Sequence, residues 1–413
     1  MNQSYFDAVI LGDSLAARLA AALLARRGCR LLTLHPAGGA ATSAWCFSSL
    51  FLERMLDQLD GRAVLTMPQR FQYLGDGVRL DMHGRQPFAE EVRREFPRDV
   101  EAILGATADL AALGEKFAGL LWDSGGLPLA GIRDRWAFRL RGLRRGLTPG
   151  RLGEPLADRL AELDSPAAAT FLGNLLPALS LTSVEQLSLA EAALLWHGAM
   201  RPTAASTAGL DELLRRRYQQ FHGEEEDLAK LESLTPGDRQ PNRLRFKGGQ
   251  QVAAGCLVVA DAAAALHLPE ALRRAAAASS RPAAPLLLGN TVSPVLADQV
   301  VLAGSPLLRL SFSGPPEQRR LVVEAPREIA ADELCGRLQA LCPFAPLAGE
   351  LVAGVPSPAG PPGLRAAMRR AVAGPGLFHC SPAVLPRLGS VGEALTGLSV
   401  ARAVQRRLKK AAP

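Results

Sequence analysis

Apolar and polar positions near the start of the chain fall into blocks. Phe6 to Gly12 is a short apolar run closed by a glycine, Asp13 to Ala17 is a turn, an Ala/Leu-rich stretch follows to Gly28, and Cys29 to His35 is a second apolar run. Short apolar runs bounded by turn residues predict buried strands, and the longer Ala/Leu block predicts a helix. The chain therefore opens as strand, tight turn, helix, strand. Farther on, turn-rich Pro36 to Ser43 leads into helical residues Ala44 to Leu59, and Phe71 to Met82 predicts a hairpin turning at Gly75-Asp76-Gly77. Phe88 to Leu121 reads as helix with a break at Phe96-Pro97, and Pro155 to Trp196 as a second helical region. Gly209 to Phe221 is an amphipathic helix. Strands are expected at Leu228 to Leu234, Arg243 to Phe246, Gln251 to Ala254, Cys256 to Ala260, Leu307 to Phe312, Arg320 to Glu324 and Gly376 to Cys380. Helices are expected at Ala331 to Cys342 and Gly392 to Leu408.

The opening unit resembles a Rossmann-type dinucleotide-binding domain, whose turn is normally written Gly-x-Gly-x-x-Gly. Here Gly12 keeps the first place, Ser14 takes the second and Ala17 the third. The second strand ends in His35, where an acid would bind the ribose hydroxyls. Ser14 and Ala17 are small enough to keep the turn tight, and the start of the helix, expected after Ala16, offers its dipole to a phosphate. His35 has two readings, a ribose ligand or a surface histidine at a strand end.

Composition changes this picture little. With 413 residues, 48% of them hydrophobic, the chain is long enough for two domains and a sizeable core. Its 47 Lys+Arg against 40 Asp+Glu give a net charge of +7, mildly basic for this length. The six cysteines include no C-x-x-C pair and no histidine at metal-site spacing, which suits reduced cysteines in a cytoplasmic protein and predicts no metal site. Met1 to Ser4 lacks the basic residues of a signal peptide. Ser165 to Val184 is a long uncharged stretch, but Pro166, Asn174 and Pro177 make it a buried helical pair or pocket wall rather than a membrane span. No nucleic-acid module is recognisable.

Four elements in order resemble the FAD-dependent amine oxidase and phytoene desaturase superfamily: the Gly12 to His35 unit; Tyr73 to Asp99 with Glu95-Phe96-Pro97; Ala208-Gly209-Leu210 opening a helix, then the strands to Ala260; and Gly376-Leu377-Phe378 with Gly389, Gly392, Gly397 and Ala401. The resemblance implies an α/β fold: a glutathione-reductase-like Rossmann FAD domain with a mixed sheet, drawn from residues 1–70, 200–265 and 365–413, plus an α+β substrate domain from 71–199 and 266–364. It implies FAD contacts at Gly12, Ser14, Leu15, Ala16, Ala17, His35, Gly38, Gly39, Leu231, Gly389, Gly392, Glu393 and Ala394. An active member would pass a hydride from a small hydrophobic substrate to the flavin, in desaturase, isomerase or amine-oxidase chemistry. The cofactor would supply the chemistry and the protein an apolar tunnel. The wall is expected at Phe171, Leu175, Leu179 and Trp196, with His197 and His379 either facing the flavin pocket or satisfied elsewhere. No catalytic residue stands out.

Departures from the family pattern leave a second reading open. Ser381-Pro382 replaces the closing Gly-Asp, and the arginine that precedes Gly38-Gly39 in many relatives is missing. Hydrogen bonds to charged groups contribute roughly 1.5–3 kcal/mol each, so losing two acidic anchors weakens FAD binding unless other contacts compensate. The alternative is a cofactor-free descendant of the fold acting as a structural or interaction partner. NAD(P) binding alone fits less well, because the closing segment belongs to a two-part FAD site.

Ile132 to Arg151 differs in kind: seven arginines (133, 135, 139, 141, 144, 145 and 151) interleave with Trp136, Phe138, Leu140 and Leu143. This is either a solvated helix face or a peripheral element resting on anionic lipid. The C-terminal Arg406-Arg407-Leu408-Lys409-Lys410 either adds to that attraction or complements a helix C-terminus.

Overall fold

The computed structural model describes residues 4–36, 45, 47–68, 70–75, 77–84, 86–127, 132–204, 207–237, 240–260, 284–287, 297–305, 307–313, 320–324, 331–341, 376–381 and 384–411. The chain opens with the expected βαβ unit: β1 (Ser4–Leu11), α1 (Leu15–Arg26) and β2 (Leu31–His35). Ala8 to Leu11 are completely buried, as a strand covered on both faces requires. Ser14 caps α1 by accepting from the Ala17 amide, so the helix starts at Leu15, two residues before the start expected from the sequence.

This unit seeds a seven-stranded mixed sheet. Along its path the order is β7 (Glu224–Asp227), β2, β1, β10 (Gln251–Val259), β9 (Asn242–Phe246), β8 (Leu231–Thr235), and β15 (Leu377–His379) also pairs with β10. The pairs β7–β2, β2–β1, β1–β10 and β10–β15 are parallel, while β10–β9–β8 is an antiparallel meander. Helix α10 (Thr207–Gln220) and the C-terminal helix α12 (Gly389–Ala411) pack beside α1. The α1–α12 approach depends on Gly397, where a Cβ would lie 2.7 Å from the Ala16 carbonyl oxygen and 3.3 Å from Leu19 Cβ. Gly397→Ala is expected to cost about 1–3 kcal/mol through overpacking. A lower urea midpoint at unchanged m-value would register that loss; an unmoved midpoint would show that the helices part freely.

The second sheet is ordered β11 (Ala284–Leu287), β14 (Arg320–Glu324), β13 (Leu308–Ser313), β12 (Gln299–Leu302), β4 (Phe71–Gly75), β5 (Val78–Met82). The β4–β5 pair is the hairpin expected between Phe71 and Met82. Helices α3 (Phe88–Glu95), α4 (Val100–Ser124), α5 (Ile132–Arg144), α6 (Pro149–Leu152), α7 (Leu156–Ala161), α8 (Pro166–Ser180) and α9 (Leu189–Ala199) fill the intervening chain. A ribbon of β3 (Leu65–Pro68) and β6 (Pro202–Ala204) stands apart from both sheets. Helix α11 (Ala331–Leu341) packs Leu334 and Leu338 into the cluster formed by β12, β13 and β14.

Several boundaries differ from the sequence reading. The helix expected from Ala44 starts only at Leu50, because Ser49 accepts from the Leu52 amide and caps it there (α2, Leu50–Gln58). Leu228 to Lys230 is a 3-10 turn rather than strand, and pairing begins at Leu231. The acidic run Glu224–Asp227 is a strand, held along β2. Gln251 to Val259 is one strand instead of two, and the C-terminal helix begins at Gly389, which places Gly389 in its first turn. No helix among the described residues is long and apolar enough to cross a membrane.

Candidate functional site

The parallel strands β1, β10 and β15 end together at one edge of the first sheet. The Ala260 amide donates to the Leu11 carbonyl at 2.7 Å, and the Cys380 amide to Val259 at 2.8 Å. The Gly12 amide donates across to Leu34 of β2 at 2.9 Å. Gly12 itself has φ 109°, a conformation that favours glycine and leaves the backbone bare where α1 begins. Ser14 links the two sides of this edge: its hydroxyl donates to the Cys380 carbonyl at 3.0 Å and accepts from the Ala17 amide at 3.2 Å. The amides of Leu15 and Ala16 belong to a first helical turn, where no intrahelical carbonyl is available to them.

Helix α12 passes this neighbourhood at Gly397, which packs on Ala16, and its N-terminus lies eight residues earlier, at Gly389. Ser390 in its first turn donates to the Phe47 carbonyl at 2.9 Å, tying the helix to the Trp45 and Phe47 segment. Burial and the nearby charge of Glu393 push the Cys380 thiol well above its ordinary range. Trp45, Phe47 and Phe71 pack as a triplet with ring centroids 5.6–6.0 Å apart, and Tyr73 meets Phe171 edge-on at 5.1 Å. Through Phe47 the aromatic triplet adjoins the first turn of α12.

At the other end of the edge, His35 does not stand alone. Its Nδ1 lies 3.3 Å from Asp13 and its Nε2 lies 3.8 Å from Glu225 of β7. Arg18 grips Asp13 with both arms at 2.6 Å and also pairs with Asp211 of α10. Burial works against the Asp13 charge, but hydrogen bonds from Arg18 and His35 outweigh it and hold the carboxyl well below the usual range. Sequence reasoning missed Asp13, Arg18, Asp211 and Glu225. The signals were a charged residue directly after the turn glycine, a cation five positions on, and the acidic run from Glu224 to Asp227.

The structure therefore brings together Gly12, Ser14, Leu15, Ala16, Ala17 and His35. It places Gly389, Gly392, Glu393 and Ala394 in the opening turns of α12. Gly38 and Gly39 lie outside the described residues. Leu231 is the first residue of β8 and packs with Phe246 and Leu228 in the cluster on the face of the sheet opposite α1. Phe171, Leu175, Leu179 and Trp196 are all packed into the principal core. His197 accepts from Arg201 at 3.3 Å, and burial lowers the pKa of His379, whose Nε2 has no hydrogen-bond partner.

No family model matches the chain, and no curated protein matches it in sequence. Solved structures do match it along almost its whole length. Cyclohexylamine oxidase from Brevibacterium oxydans superposes with a TM-score of 0.55 at 14% identity, covering 98% of this chain and 99% of that one. Putrescine oxidase bound to putrescine gives 0.56 at 13% identity, covering 98% and 100%. The fold is that of the amine oxidases. A Pyrococcus furiosus protein shares it too, with a TM-score of 0.60 at 12% identity and 97% coverage of both chains. The fold class expected from the sequence is the one observed. Identities this low speak for the amine-oxidase fold alone.

The donors at the sheet edge fit a dinucleotide cofactor: a side-chain-free turn at Gly12 and the amides of the first turn of α1 lie where a pyrophosphate is bound in such folds, while the Ser14 hydroxyl, its proton donated to the Cys380 carbonyl, holds the turn in shape. The carboxylate of Asp13, which would repel a phosphate, is turned onto Arg18, whose single charge it shares with Asp211. Carboxylates also remain at the ribose corner, with Asp13 and Glu225 on either side of His35.

Proposed function

We propose that the protein is an FAD-dependent oxidoreductase acting on a hydrophobic substrate. The observation that carries this reading is the Gly12 turn that opens α1 beside the ends of β1, β10 and β15, in an amine-oxidase fold with α12 packed parallel to α1 at Gly397 and Ala16. The Leu15 and Ala16 amides would hold the pyrophosphate with Ser14 shaping their turn, Glu225 and His35 the adenosine ribose, and the opening turn of α12 the flavin end. A bound flavin supplies a hydride acceptor, which spares the protein an acid–base dyad of its own. The chain's own contribution is orientation and water exclusion, and the core aromatics Trp45, Phe47 and Phe71 keep the neighbourhood of the α12 start apolar. Amine-oxidase, desaturase and isomerase chemistry all fit this arrangement.

One observation favours the alternative of a cofactor-free interaction protein: the ribose corner is already closed on itself by the Asp13, Arg18, His35 and Glu225 contacts. Purification with FAD present throughout decides between them. The expected result is a stoichiometric flavin spectrum that survives gel filtration, and Gly12→Val, which forces a side chain into a positive-φ turn against the cofactor, should weaken FAD binding by at least tenfold. A folded, colourless protein that fails to take up added FAD would establish the second reading.

A further inference from the structure

Helix α5 presents an unusual surface. Its core-facing residue is Phe138, which packs edge-on against Phe117 of α4 with ring centroids 6.4 Å apart. On the opposite face Trp136, Leu140 and Leu143 are 67%, 54% and 57% exposed, three of the five large hydrophobic side chains most open to solvent among the described residues. They fall at i, i+4 and i+7, so with about 100° per residue they form one stripe along the helix. The same spacing sets Arg139 on one flank of the stripe and Arg133 and Arg144 on the other, all three exposed. Arg139 lies over the Trp136 ring at 5.9 Å. The arginines nearer the body of the protein point elsewhere: Arg141 donates to the Asp123 carbonyl and Arg145 pairs with the Asp123 carboxylate.

Charge around the stripe is of one sign. The acid in the first turn of α5, Asp134, pairs with Arg406 of α12 at 3.1 Å. That contact places the last turns of α12 beside α5, with Arg406, Arg407, Lys409 and Lys410 exposed. Apolar side chains on one face and arginines along both flanks are the arrangement of a helix that lies in a lipid headgroup layer, and the Asp134–Arg406 contact braces α5 from the side away from the stripe. A stable protein interface needs about 800 Å² per partner. Three side chains on a helix of 13 residues, about 20 Å long, form too small a patch for that.

We propose that α5 is a docking surface for an anionic bilayer, with Trp136, Leu140 and Leu143 inserted among the acyl chains and Arg133, Arg139 and Arg144 at the lipid phosphates. The binding is peripheral and salt-sensitive, since exposed charges are screened over about 8 Å at physiological ionic strength.

Vesicle flotation with the full chain tests this. Vesicles of phosphatidylcholine with about 30% phosphatidylglycerol should bind the protein, and pure phosphatidylcholine should bind it at least tenfold more weakly, since each basic residue near an anionic surface adds about 1 kcal/mol. The variant Trp136→Ser/Leu140→Ser/Leu143→Ser should lose binding to both. Arg133→Gln/Arg139→Gln/Arg144→Gln should lose the preference for anionic lipid. Brominated acyl chains should quench tryptophan fluorescence of the wild type, and Trp136→Phe should abolish that quenching while the protein still floats. Absence of flotation, or flotation and quenching indifferent to these substitutions, would overturn the proposal. So would loss of a protein complex or of self-association in the triple-serine variant when the wild type binds no vesicle, which would make the surface a protein interface.

Discussion

Replacing Arg309 by methionine is expected to lower the unfolding free energy by about 3–5 kcal/mol, the cost of leaving one member of a buried ion pair without its counter-charge. Arg309 on β13 and Glu324 on β14 face each other across the ladder and are only 3% and 7% exposed. The guanidinium donates to one Glu324 oxygen at 3.1 and 2.7 Å and to the Leu179 carbonyl of α8 at 3.3 Å, and it sits 5.3 Å from the Trp45 ring. Methionine fills the volume but removes all four interactions. Urea unfolding read at two probes gives the size of the loss. Arg309→Met/Glu324→Leu should recover most of it, because an apolar pair of similar volume avoids desolvating either charge. A single-variant loss under 1 kcal/mol would mean that water reaches Glu324. The pair also bears on the site: Arg309 supports Trp45, Trp45 packs on Phe47, and the Phe47 carbonyl anchors Ser390 in α12. Flavin uptake by Arg309→Met should accordingly fall along with its stability.

That ion pair shows why the sequence disclosed some features and concealed others. Within Leu308–Ser313 and Arg320–Glu324 the charged residues look like the outward half of an alternating strand pattern, and only the register between β13 and β14 reveals that they face each other in the interior. The βαβ opening was legible because it depends on local signals: an unbroken apolar run, a glycine at a sharp turn, and alanines small enough to bury a whole helix side. Ser14 was legible for the same reason, although its second bond, to Cys380, spans 366 positions and has no local trace. Glu224–Asp227 carries no strand signal in the sequence, because four consecutive acids oppose strand propensity. It is strand nonetheless, since β2 offers a free edge and Tyr218 receives the Glu224 strand by donating to its carbonyl at 2.8 Å. The ribose corner was concealed with it, because the carboxylate nearest His35 Nε2 comes from that strand rather than from the end of β2.

Stability should fall by about 3 kcal/mol as pH drops from 6.5 to about 4, through one histidine away from the Gly12 edge of the sheet. His197 on α9 is buried, and burial lowers its pKa to about 4; the adjacent Arg201 charge acts in the same direction, while Glu115 and Glu53 oppose it too weakly to prevail. Arg201 donates to Nε2 at 3.3 Å while both its arms bond Glu53, so the ring is held neutral as an acceptor beside a fixed cation. Above pH 6.5 the folded and unfolded chains both carry a neutral ring, and this group contributes nothing to the pH dependence. Between 6.5 and 4 the unfolded chain binds a proton that the folded one excludes, so stability declines with falling pH; below 4 both states are protonated and the decline stops. His197→Gln keeps a side chain that can accept from Arg201 and cannot take up this proton. Urea midpoints of wild type and variant, measured from pH 7 to pH 4, should therefore converge or cross as the pH falls, the wild type losing about 3 kcal/mol more than the variant. Parallel curves would show that the proton is taken up in the folded state, and hence that the Arg201 side of the ring opens to water.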